Sequence, residues 1–280
     1  MRLLVTGGGG QLATDLAALA SAAGHTVDAP SRRALDICET NDVRSAVETG
    51  RPDVIVNCAA WTAVDACEDN EERAVQVNGT AVGVLAEIAA DHGAHLVQLS
   101  TDYVFDGTKS APYVEHDKPN PQSAYGRSKR VGEALAGSTS SVVRTSWVYS
   151  KHGGNMAATI CRVAAERDTL KFVSDQRGHP THTVHLAKAV LNIARERASG
   201  LWHCTNAGEV SWFEFAQAVM RAAGHDPARV LPILTTDLVP ARPAPRPTNS
   251  VLANTRYGEH FAPLPDFRDD LHDVVSVYDA

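Results

Sequence analysis

The sequence Arg2-Leu3-Leu4-Val5-Thr6-Gly7-Gly8-Gly9-Gly10-Gln11-Leu12-Ala13 decides the fold of this chain. Its apolar start predicts a short strand, and the helical pattern from Leu12 to Ala23 predicts a helix directly after the four glycines. In such a strand–turn–helix unit, backbone N–H groups and the positive end of the helix point at whatever lies over the turn. The turn therefore predicts a binding site for the pyrophosphate of a dinucleotide. The alternative is a structural glycine turn that binds nothing.

The same alternation of short apolar runs and helical patterns continues through the first half of the chain. Further strands are predicted at 26–27, 54–56, 96–99 and 142–143, and helices at 41–48, 74–91 and 125–135. Strands joined by helices of this length pair in parallel through right-handed crossovers. The predicted fold class is therefore α/β, with a doubly wound, Rossmann-like parallel sheet.

The second half is less regular and predicts a smaller C-terminal substrate-binding lobe. Helices are predicted at 155–166, 185–197 and 212–223, and strands near Phe172 and at 201–204. Four prolines between 240 and 247 exclude a regular helix or a central strand there. We expect residues 1–146 to form a dinucleotide-binding domain that residues from about 183 to 206 complete. Residues 147–280 should mainly form the lobe.

Composition excludes several classes of protein. The 280 residues are 44% hydrophobic and 21% charged, as in ordinary globular enzymes. The 26 basic and 33 acidic side chains give a net charge of -7 without clustered positive charge, which argues against nucleic acid as a partner. The 5 cysteines are dispersed, which favours a reducing, cytoplasmic location over a disulfide scaffold. No apolar run approaches the ~20 residues of a membrane span.

The residues after the second predicted strand bear on the choice of coenzyme. Asp28 lies about twenty residues beyond the glycines, where a carboxylate normally holds the adenosine ribose of NAD. Arg32 and Arg33 follow, and guanidinium groups there suit the additional phosphate of NADP. Two solvated surface arginines are the alternative. We expect NADPH to be the coenzyme and NADH to be usable.

Three side chains predict carbonyl chemistry. Thr101 ends the fourth predicted strand, at the carboxyl edge where open parallel sheets bind ligands. Tyr125 and Lys129 form a Y-x-x-x-K pattern on one helical face, so the ammonium should lower the pKa of the phenol from its ordinary ~10. A phenolic proton donor beside a nicotinamide indicates reduction by hydride transfer. A core tyrosine with a surface lysine is the alternative.

These segments resemble the dTDP-4-dehydrorhamnose reductase family of the extended short-chain dehydrogenase/reductase superfamily. The matching segments are residues 7–12, 51–60, 100–107, 125–129, 144–149, 175–181 and 246–250. The most specific are Ser-Thr-Asp-Tyr-Val-Phe from position 100 and Arg-Thr-Ser-Trp-Val-Tyr from position 144. The resemblance covers nearly the whole chain, whereas the glycine loop and Y-x-x-x-K are shared across the superfamily.

The resemblance implies a role for each matching position. Tyr125 would donate the proton, and Lys129 would bind the nicotinamide ribose and tune Tyr125. The implied coenzyme-binding residues are Gly7, Gly10, Gln11, Leu12, Ser31, Arg32, Asp36, Ile37, Ala59, Ala60, Trp61, Thr62, Tyr125 and Lys129. The implied substrate-binding residues are Thr101, Asp102 and Trp147, with Thr101 at the sugar carbonyl.

Some of these positions have structural alternatives. Trp147 could be a core aromatic residue, and Asp36 could be a helix-capping carboxylate. Trp61 is larger than the ring expected at its position. Arg246 could bind the nucleotide or an internal carboxylate.

The implied reaction is NAD(P)H-dependent reduction of the C4 keto group of a dTDP-4-keto-6-deoxy-L-hexose. The expected substrate, a small sugar nucleotide bound by the lobe, is dTDP-4-dehydro-L-rhamnose, and the product is dTDP-L-rhamnose. Alternatives are another dTDP-4-ketodeoxysugar, or a non-catalytic subunit like the regulatory partner of methionine adenosyltransferase. A dehydratase is disfavoured because Tyr103 replaces the second acid. The family also implies a homodimer and Mg²⁺, for which the sequence shows no ligand cluster.

Overall fold

A computed structural model describes residues 1–278 of the chain. The strands are β1 (Arg2–Thr6), β2 (Thr26–Asp28), β3 (Val54–Asn57), β4 (His95–Thr101), β5 (Ser141–Thr145), β6 (Val148–Tyr149), β7 (Leu170–Val173), β8 (Arg177–Gly178), β9 (Thr181–His182), β10 (Gly200–His203), β11 (Val210–Ser211) and β12 (Val230–Ile233). The helices are α1 (Gln11–Ala22), α2 (Thr40–Gly50), α3 (Val64–Asp69), α4 (Glu71–Val75), α5 (Ala81–Asp91), α6 (Ala124–Leu135), α7 (Met156–Glu166), α8 (Thr183–Glu196), α9 (Trp212–Ala222), α10 (Thr255–His260) and α11 (Leu271–Val275).

The central sheet of residues 1–278 has six strands in the order β10-β5-β4-β3-β1-β2, and every neighbouring pair is parallel. The predicted α/β class with a Rossmann-like sheet is confirmed. Thr6 pairs with Asn57, and Thr101 pairs with Thr145, so the carboxyl ends of four strands lie along one edge. The strand order reverses at β1, and open sheets bind ligands in the crevice at such a reversal.

Apolar side chains cover both faces of the sheet. Helices α1 and α8 pack on one face, where Val5, Leu16 and Val190 are completely buried. Helices α2, α5 and α6 lie on the other face, around residues such as Ile55 and Leu85. Strands that are buried on both sides read as continuous apolar runs, which is why the sequence pattern located them.

The helix predicted at 74–91 has a different structure in its first half. A π-helical turn spans Gln76–Thr80 between α4 and α5. A Cβ on Gly79 would lie 2.8 Å from a methyl carbon of Val131 on α6, so the two helices approach closely here. The wide turn also directs buried Asn78 toward its partners, where its side chain bonds both backbone polar groups of Trp61 and the Ser128 hydroxyl.

A second apolar core forms the C-terminal lobe. It lies between α7, α9, α11 and the parallel pair β7–β12, with Phe215 and Phe267 completely buried. Two further two-stranded pairs, β6–β9 and β8–β11, flank this core. Helix α8 and strand β10 return to the central sheet, whereas residues 240–247 form neither helix nor strand. Within residues 1–278, no helix combines the length and the apolar character that crossing a membrane requires.

Candidate active site

A cleft of about 680 Å³ lies over the carboxyl ends of β1, β3 and β4. Gly153 and Gly154 of the lobe contribute to its wall. The predicted coenzyme-binding residues that line it are Gly7, Gly10, Gln11, Leu12, Arg32, Asp36, Ile37, Ala59, Ala60, Trp61, Thr62, Tyr125 and Lys129. Ser31 is exposed and bridges to Gly8 but is not part of the lining, and neither are Thr101, Asp102 and Trp147.

The glycine loop is shaped for close approach of a ligand to the backbone. Gly7 has a φ of +75°, and a Cβ there would lie 2.8 Å from the Ala59 nitrogen. Gly10 is the N-cap of α1 and has no side chain to satisfy the first N–H groups of that helix. The first turn of α1 holds no acidic residue. These free donors and the helix dipole suit a pyrophosphate, so the loop fits a dinucleotide.

The loop after β2 carries an exposed cation beside a carboxylate. Arg32 Nε lies 3.3 Å from Asp36 Oδ2, and the Arg32 side chain is 69% exposed. Asp36 Oδ1 accepts a hydrogen bond from the Cys38 backbone N–H, which lowers the pKa of Asp36. Since Glu39 is the N-cap of α2, Asp36 caps a turn and not a helix. Asp28, the alternative ribose ligand, does not line the cleft.

Helix α6 carries the predicted Tyr-Lys pair into the cleft. Ser123 caps the helix by accepting a hydrogen bond from the Gly126 N–H, which fixes where the helix begins. Lys129 is buried, and its Nζ donates to the Leu99 carbonyl oxygen at 2.6 Å. Burial lowers the pKa of Lys129 to about 8, against the opposing effect of the Glu133 carboxylate.

The expected acidification of Tyr125 is wrong for this structure. Desolvation in the cleft raises the pKa of the phenol, and the nearby Asp102 charge raises it further. Only the Thr101 hydroxyl opposes this rise among the main causes, while the Lys129 ammonium is directed at a backbone carbonyl. The neighbouring charge alone predicts a lowered pKa, but the cost of burying the phenolate is larger in this cleft. A neutral phenol is nevertheless the protonation state that a proton donor requires.

Thr101 and Asp102 lie just behind the phenol. The Thr101 hydroxyl donates to Asp102 Oδ1 at 3.0 Å and accepts from the Tyr103 N–H at 3.1 Å. Asp102 is 2% exposed, and burial raises its pKa to about 6. Its second oxygen has no hydrogen-bond partner among the described residues. The Tyr103 ring meets the Tyr125 ring edge-on at 5.8 Å.

A buried ion pair that sequence reasoning missed fixes α6 on the sheet. Arg144 of β5 donates from Nε to Glu133 Oε1 at 2.7 Å and from Nη2 to Oε2 at 2.8 Å. The Ser100 hydroxyl donates to the same carboxylate at 2.7 Å. In the sequence, the four-residue spacing from Lys129 to Glu133 places both residues on one helical face. This spacing was the only sign that Glu133 faces the sheet. Asn78 gave no comparable signal, because its partners depend on the π-helical turn.

The structure shows which of the two predicted partners Arg246 binds. Its guanidinium binds both carboxylate oxygens of Asp65, at 2.5 and 2.8 Å, and the Ala244 N–H donates to the same carboxylate. Arg246 therefore pairs with an internal carboxylate. This contact fastens the proline-rich segment to the start of α3.

The two tryptophans of the prediction differ in placement. Trp61 lines the cleft despite its size, and its backbone is held by Asn78, while the Arg73 guanidinium lies 5.9 Å from the ring centroid. Trp147 is partly buried against the core of the lobe and stacks on Trp212. Trp147 is thus packed like a core aromatic at the junction with the lobe.

His182, His185 and Asp270 form a cluster at the start of α8. His185 Nε2 lies 2.8 Å from Asp270 Oδ2, and His182 Nδ1 lies 3.8 Å from the same oxygen. Asn206 Nδ2 donates to His185 Nδ1 and to the Pro265 carbonyl oxygen, while its oxygen accepts the His182 N–H. The proton of a neutral His185 is therefore on Nε2, which cannot ligate a metal. Mg²⁺ also prefers oxygen ligands, so this cluster does not fit the Mg²⁺ of the sequence prediction.

Comparison with known proteins assigns the chain to a family. A model of the family described as "RmlD substrate binding domain" matches residues 1–280. The dTDP-4-dehydrorhamnose reductase of Streptomyces griseus is 43% identical over 265 residues, which cover 91% of this chain and 86% of that protein. The dTDP-4-keto-6-deoxy-D-glucose reductase of Streptomyces niveus is 42% identical over 251 residues, covering 88% and 87%.

A solved structure agrees with these relatives over the whole fold. The dTDP-4-dehydrorhamnose reductase of Bacillus anthracis, in complex with NADP, is 32% identical, covers 98% of each chain and superposes with a TM-score of 0.92. The predicted resemblance is confirmed. With the glycine loop, the Tyr-Lys pair and the whole-chain matches taken together, this chain belongs to the RmlD, or dTDP-4-dehydrorhamnose reductase, family of NAD(P)H-dependent oxidoreductases.

Proposed function

We propose that the protein reduces the C4 keto group of dTDP-4-dehydro-L-rhamnose to the alcohol of dTDP-L-rhamnose. The observation that carries this proposal is the placement of Tyr125 and Lys129 at the rim of a cleft that begins at the glycine loop. NADPH is the proposed reductant, with NADH accepted. The complex of the Bacillus anthracis relative with NADP supports this choice.

The coenzyme residues are proposed from their positions in the cleft. The backbone N–H groups of Gln11 and Leu12 hold the pyrophosphate at the N-terminus of α1, and Gly10 lets it approach the backbone closely. Ser31 and Arg32 face the additional phosphate of NADPH, and Asp36 and Ile37 lie along the adenine. The residues of the loop after β3 that run beside the dinucleotide are Ala59, Ala60, Trp61 and Thr62.

The chain's own residues handle the proton. Bound NADPH supplies the hydride to C4 of the sugar. Tyr125 gives its phenolic proton to the oxygen that becomes an alkoxide, so the C=O bond becomes CH–OH and a phenolate remains. The raised pKa keeps Tyr125 protonated until the alkoxide forms. The Lys129 ammonium binds the ribose, and the Thr101 hydroxyl orients the carbonyl.

The lobe is proposed to bind the sugar nucleotide. Residues 1–146, with about 183–206, form the dinucleotide-binding unit, and residues 147–280 mainly form the sugar-nucleotide-binding lobe. The return of α8 and β10 to the central sheet supports this division. Asp102 of the dinucleotide-binding unit and Trp147 of the lobe are the proposed contacts of the substrate. The homodimer, the Mg²⁺ ion and the cytoplasmic location stay predictions.

A second candidate is reduction of another dTDP-4-ketodeoxysugar. The Streptomyces niveus relative, a dTDP-4-keto-6-deoxy-D-glucose reductase, is as similar as the rhamnose-pathway relatives. The non-catalytic alternative is less favoured, because Tyr125 and Lys129 both line the cleft and Thr101 lies directly behind the phenol.

The experiment is NADPH oxidation with each candidate sugar. Purified protein is mixed with NADPH and either dTDP-4-dehydro-L-rhamnose or dTDP-4-keto-6-deoxy-D-glucose, and the product is identified by NMR. We expect the L-sugar to be turned over faster, with the reduced centre at C4. Faster turnover of the D-sugar would select the second candidate. Tight NADPH binding without turnover of either sugar would favour the non-catalytic subunit.

A further inference from the structure

Trp147 has a backbone conformation that its surroundings must maintain. Its φ is +46°, in the left-handed region that residues other than glycine rarely adopt. Strained residues of this kind persist only where neighbouring contacts hold them, and they cluster at ligand sites. The Trp147 carbonyl accepts the Thr181 N–H at 3.2 Å, and the next residue starts the pairing of β6 with β9.

The indole of Trp147 is held by two contacts from the lobe. Its ring stacks on that of Trp212, with centroids 3.6 Å apart and an 8° angle between the planes. A Cβ on Gly178 would lie 2.7 Å from Cε2 of Trp147, so glycine leaves the indole its space. Trp212 in turn meets Phe215 edge-on at 6.0 Å, and Phe215 is completely buried in the core of the lobe. A row of rings thus links this core to Trp147.

The segment around Trp147 reaches the cleft. Thr145 and Val148, which flank it in sequence, both line the cleft. A 6-deoxysugar carries an apolar methyl group, and such a group packs favourably on an indole face or edge. The strained backbone and the two contacts hold the Trp147 ring in one orientation, between two residues of the chain that line the cleft.

We infer that Trp212 is a positioning residue for the substrate, because together with Gly178 it fixes the orientation in which Trp147 meets the deoxysugar ring. This inference rests on the proposed function, in which Trp147 is a substrate contact. Trp212 itself lies on α9, behind Trp147, and acts through it.

Isothermal titration calorimetry with dTDP-L-rhamnose and with dTDP tests this inference. In Trp212→Leu, the Kd for dTDP-L-rhamnose should rise about tenfold while the Kd for dTDP stays constant. Gly178→Ala should also raise the Kd for dTDP-L-rhamnose, because the new methyl group at position 178 displaces the Trp147 indole. Trp212→Phe keeps a stacking ring and should recover most of the affinity. Phe213→Leu, one position along α9, is the control for general disturbance of that helix.

Steady-state kinetics provide the second readout. The KM for the keto sugar should rise in Trp212→Leu and Gly178→Ala, and the KM for NADPH should not change. An unchanged Kd for dTDP-L-rhamnose in Trp212→Leu would overturn the inference. An equal loss for dTDP would also overturn it, since Trp212 would then support the whole lobe.

The same titrations separate the inference from the proposed function. If the wild-type protein binds dTDP-L-rhamnose but reduces no keto sugar, the proposed reaction fails while the titrations still decide the role of Trp212. A wild-type protein that does not bind dTDP-L-rhamnose overturns both.

Discussion

Lys129 combines a buried position with a positive charge. Its Nζ is satisfied by the Leu99 carbonyl, and burial lowers its pKa to about 8. Lysine is charged below its pKa, so the ammonium is lost as the pH rises through about 8. The phenol of Tyr125, whose pKa is raised, stays protonated throughout that window.

The pH profile of the reaction should therefore report Lys129. We expect kcat/KM for NADPH to be highest below pH 8 and to fall as the pH rises above about 8, because the charge that binds the ribose is lost. The measurement is kcat/KM between pH 6 and pH 10 at constant ionic strength. A profile that stays flat to pH 10 would show that the lysine keeps an ordinary pKa.

Arg32 is the residue expected to set coenzyme preference. Its guanidinium is largely exposed and held near Asp36. Arg32→Ala should raise the KM for NADPH about tenfold, because a charge-assisted hydrogen bond to the additional phosphate is lost, and should leave the KM for NADH unchanged. Arg33 does not line the cleft, so Arg33→Ala is the matched control and should alter neither value. Equal effects on both coenzymes would remove Arg32 from the phosphate site.

At the scale of elements, α6 depends on one buried ion pair. Glu133 and Arg144 are 2% and 1% exposed in their side chains, and their contact joins the helix that carries Tyr125 to β5. Glu133 also meets Arg130 at 3.1 Å, but the Arg130 side chain is 44% exposed. The two partners of Glu133 therefore differ in burial while sharing one carboxylate.

This difference gives a matched pair of variants. Glu133→Gln leaves a buried, uncompensated guanidinium and should reduce the free energy of unfolding by about 3–5 kcal/mol, with a loss of turnover as α6 shifts. Arg130→Ala removes only the exposed partner and should change stability by about 0–1 kcal/mol. Urea denaturation measures both. Similar small losses in the two variants would mean that the buried pair does not hold α6.

The elements show where sequence reasoning succeeds. Strands β1, β3, β4 and β5 lie where the apolar runs predicted them, because burial on both faces leaves a clear pattern. The glycine loop and the Tyr-Lys pair could also be predicted, because each pattern lies within a few neighbouring residues. The π-helical turn at Gln76–Thr80 was not predicted, since it arises from the contact of Gly79 with another helix.

Other features escaped the sequence for tertiary reasons. The two-residue pairs β6–β9 and β8–β11 depend on the register between distant segments. The position of Trp147 against Trp212, 65 residues away, is likewise set by packing. The pKa of Tyr125 was predicted in the wrong direction, because a sequence shows which charges are near but not how deeply a phenol is desolvated.

At the scale of the whole molecule, the cleft joins the sheet to the lobe. Gln11 of the glycine loop donates to the Gly154 carbonyl, and its side-chain oxygen accepts from Ser150 and Asn155. The His152 ring meets Asp15 at 3.1 Å across the same junction. A ligand on the glycine loop therefore touches both parts of the molecule.

Coenzyme binding should stabilise the protein as a whole. At a free NADPH concentration of one hundred times its Kd, we expect a gain of about 2.7 kcal/mol in the free energy of unfolding, because only the folded cleft binds. For a chain of this size the Tm should rise by about 4–6 °C. Differential scanning calorimetry with and without NADPH measures it. Melting of the lobe at an unchanged temperature would show that the two parts are not coupled.

The central claim is that Tyr125 supplies the proton to the reduced sugar, and Tyr125→Phe tests it most directly. Turnover of dTDP-4-dehydro-L-rhamnose with NADPH should fall at least about 100-fold, because only the phenolic proton is removed. The Kd for NADPH, measured by titration on the same preparation, should stay within about twofold of the wild-type value. A Tyr125→Phe protein that keeps wild-type turnover would contradict the account.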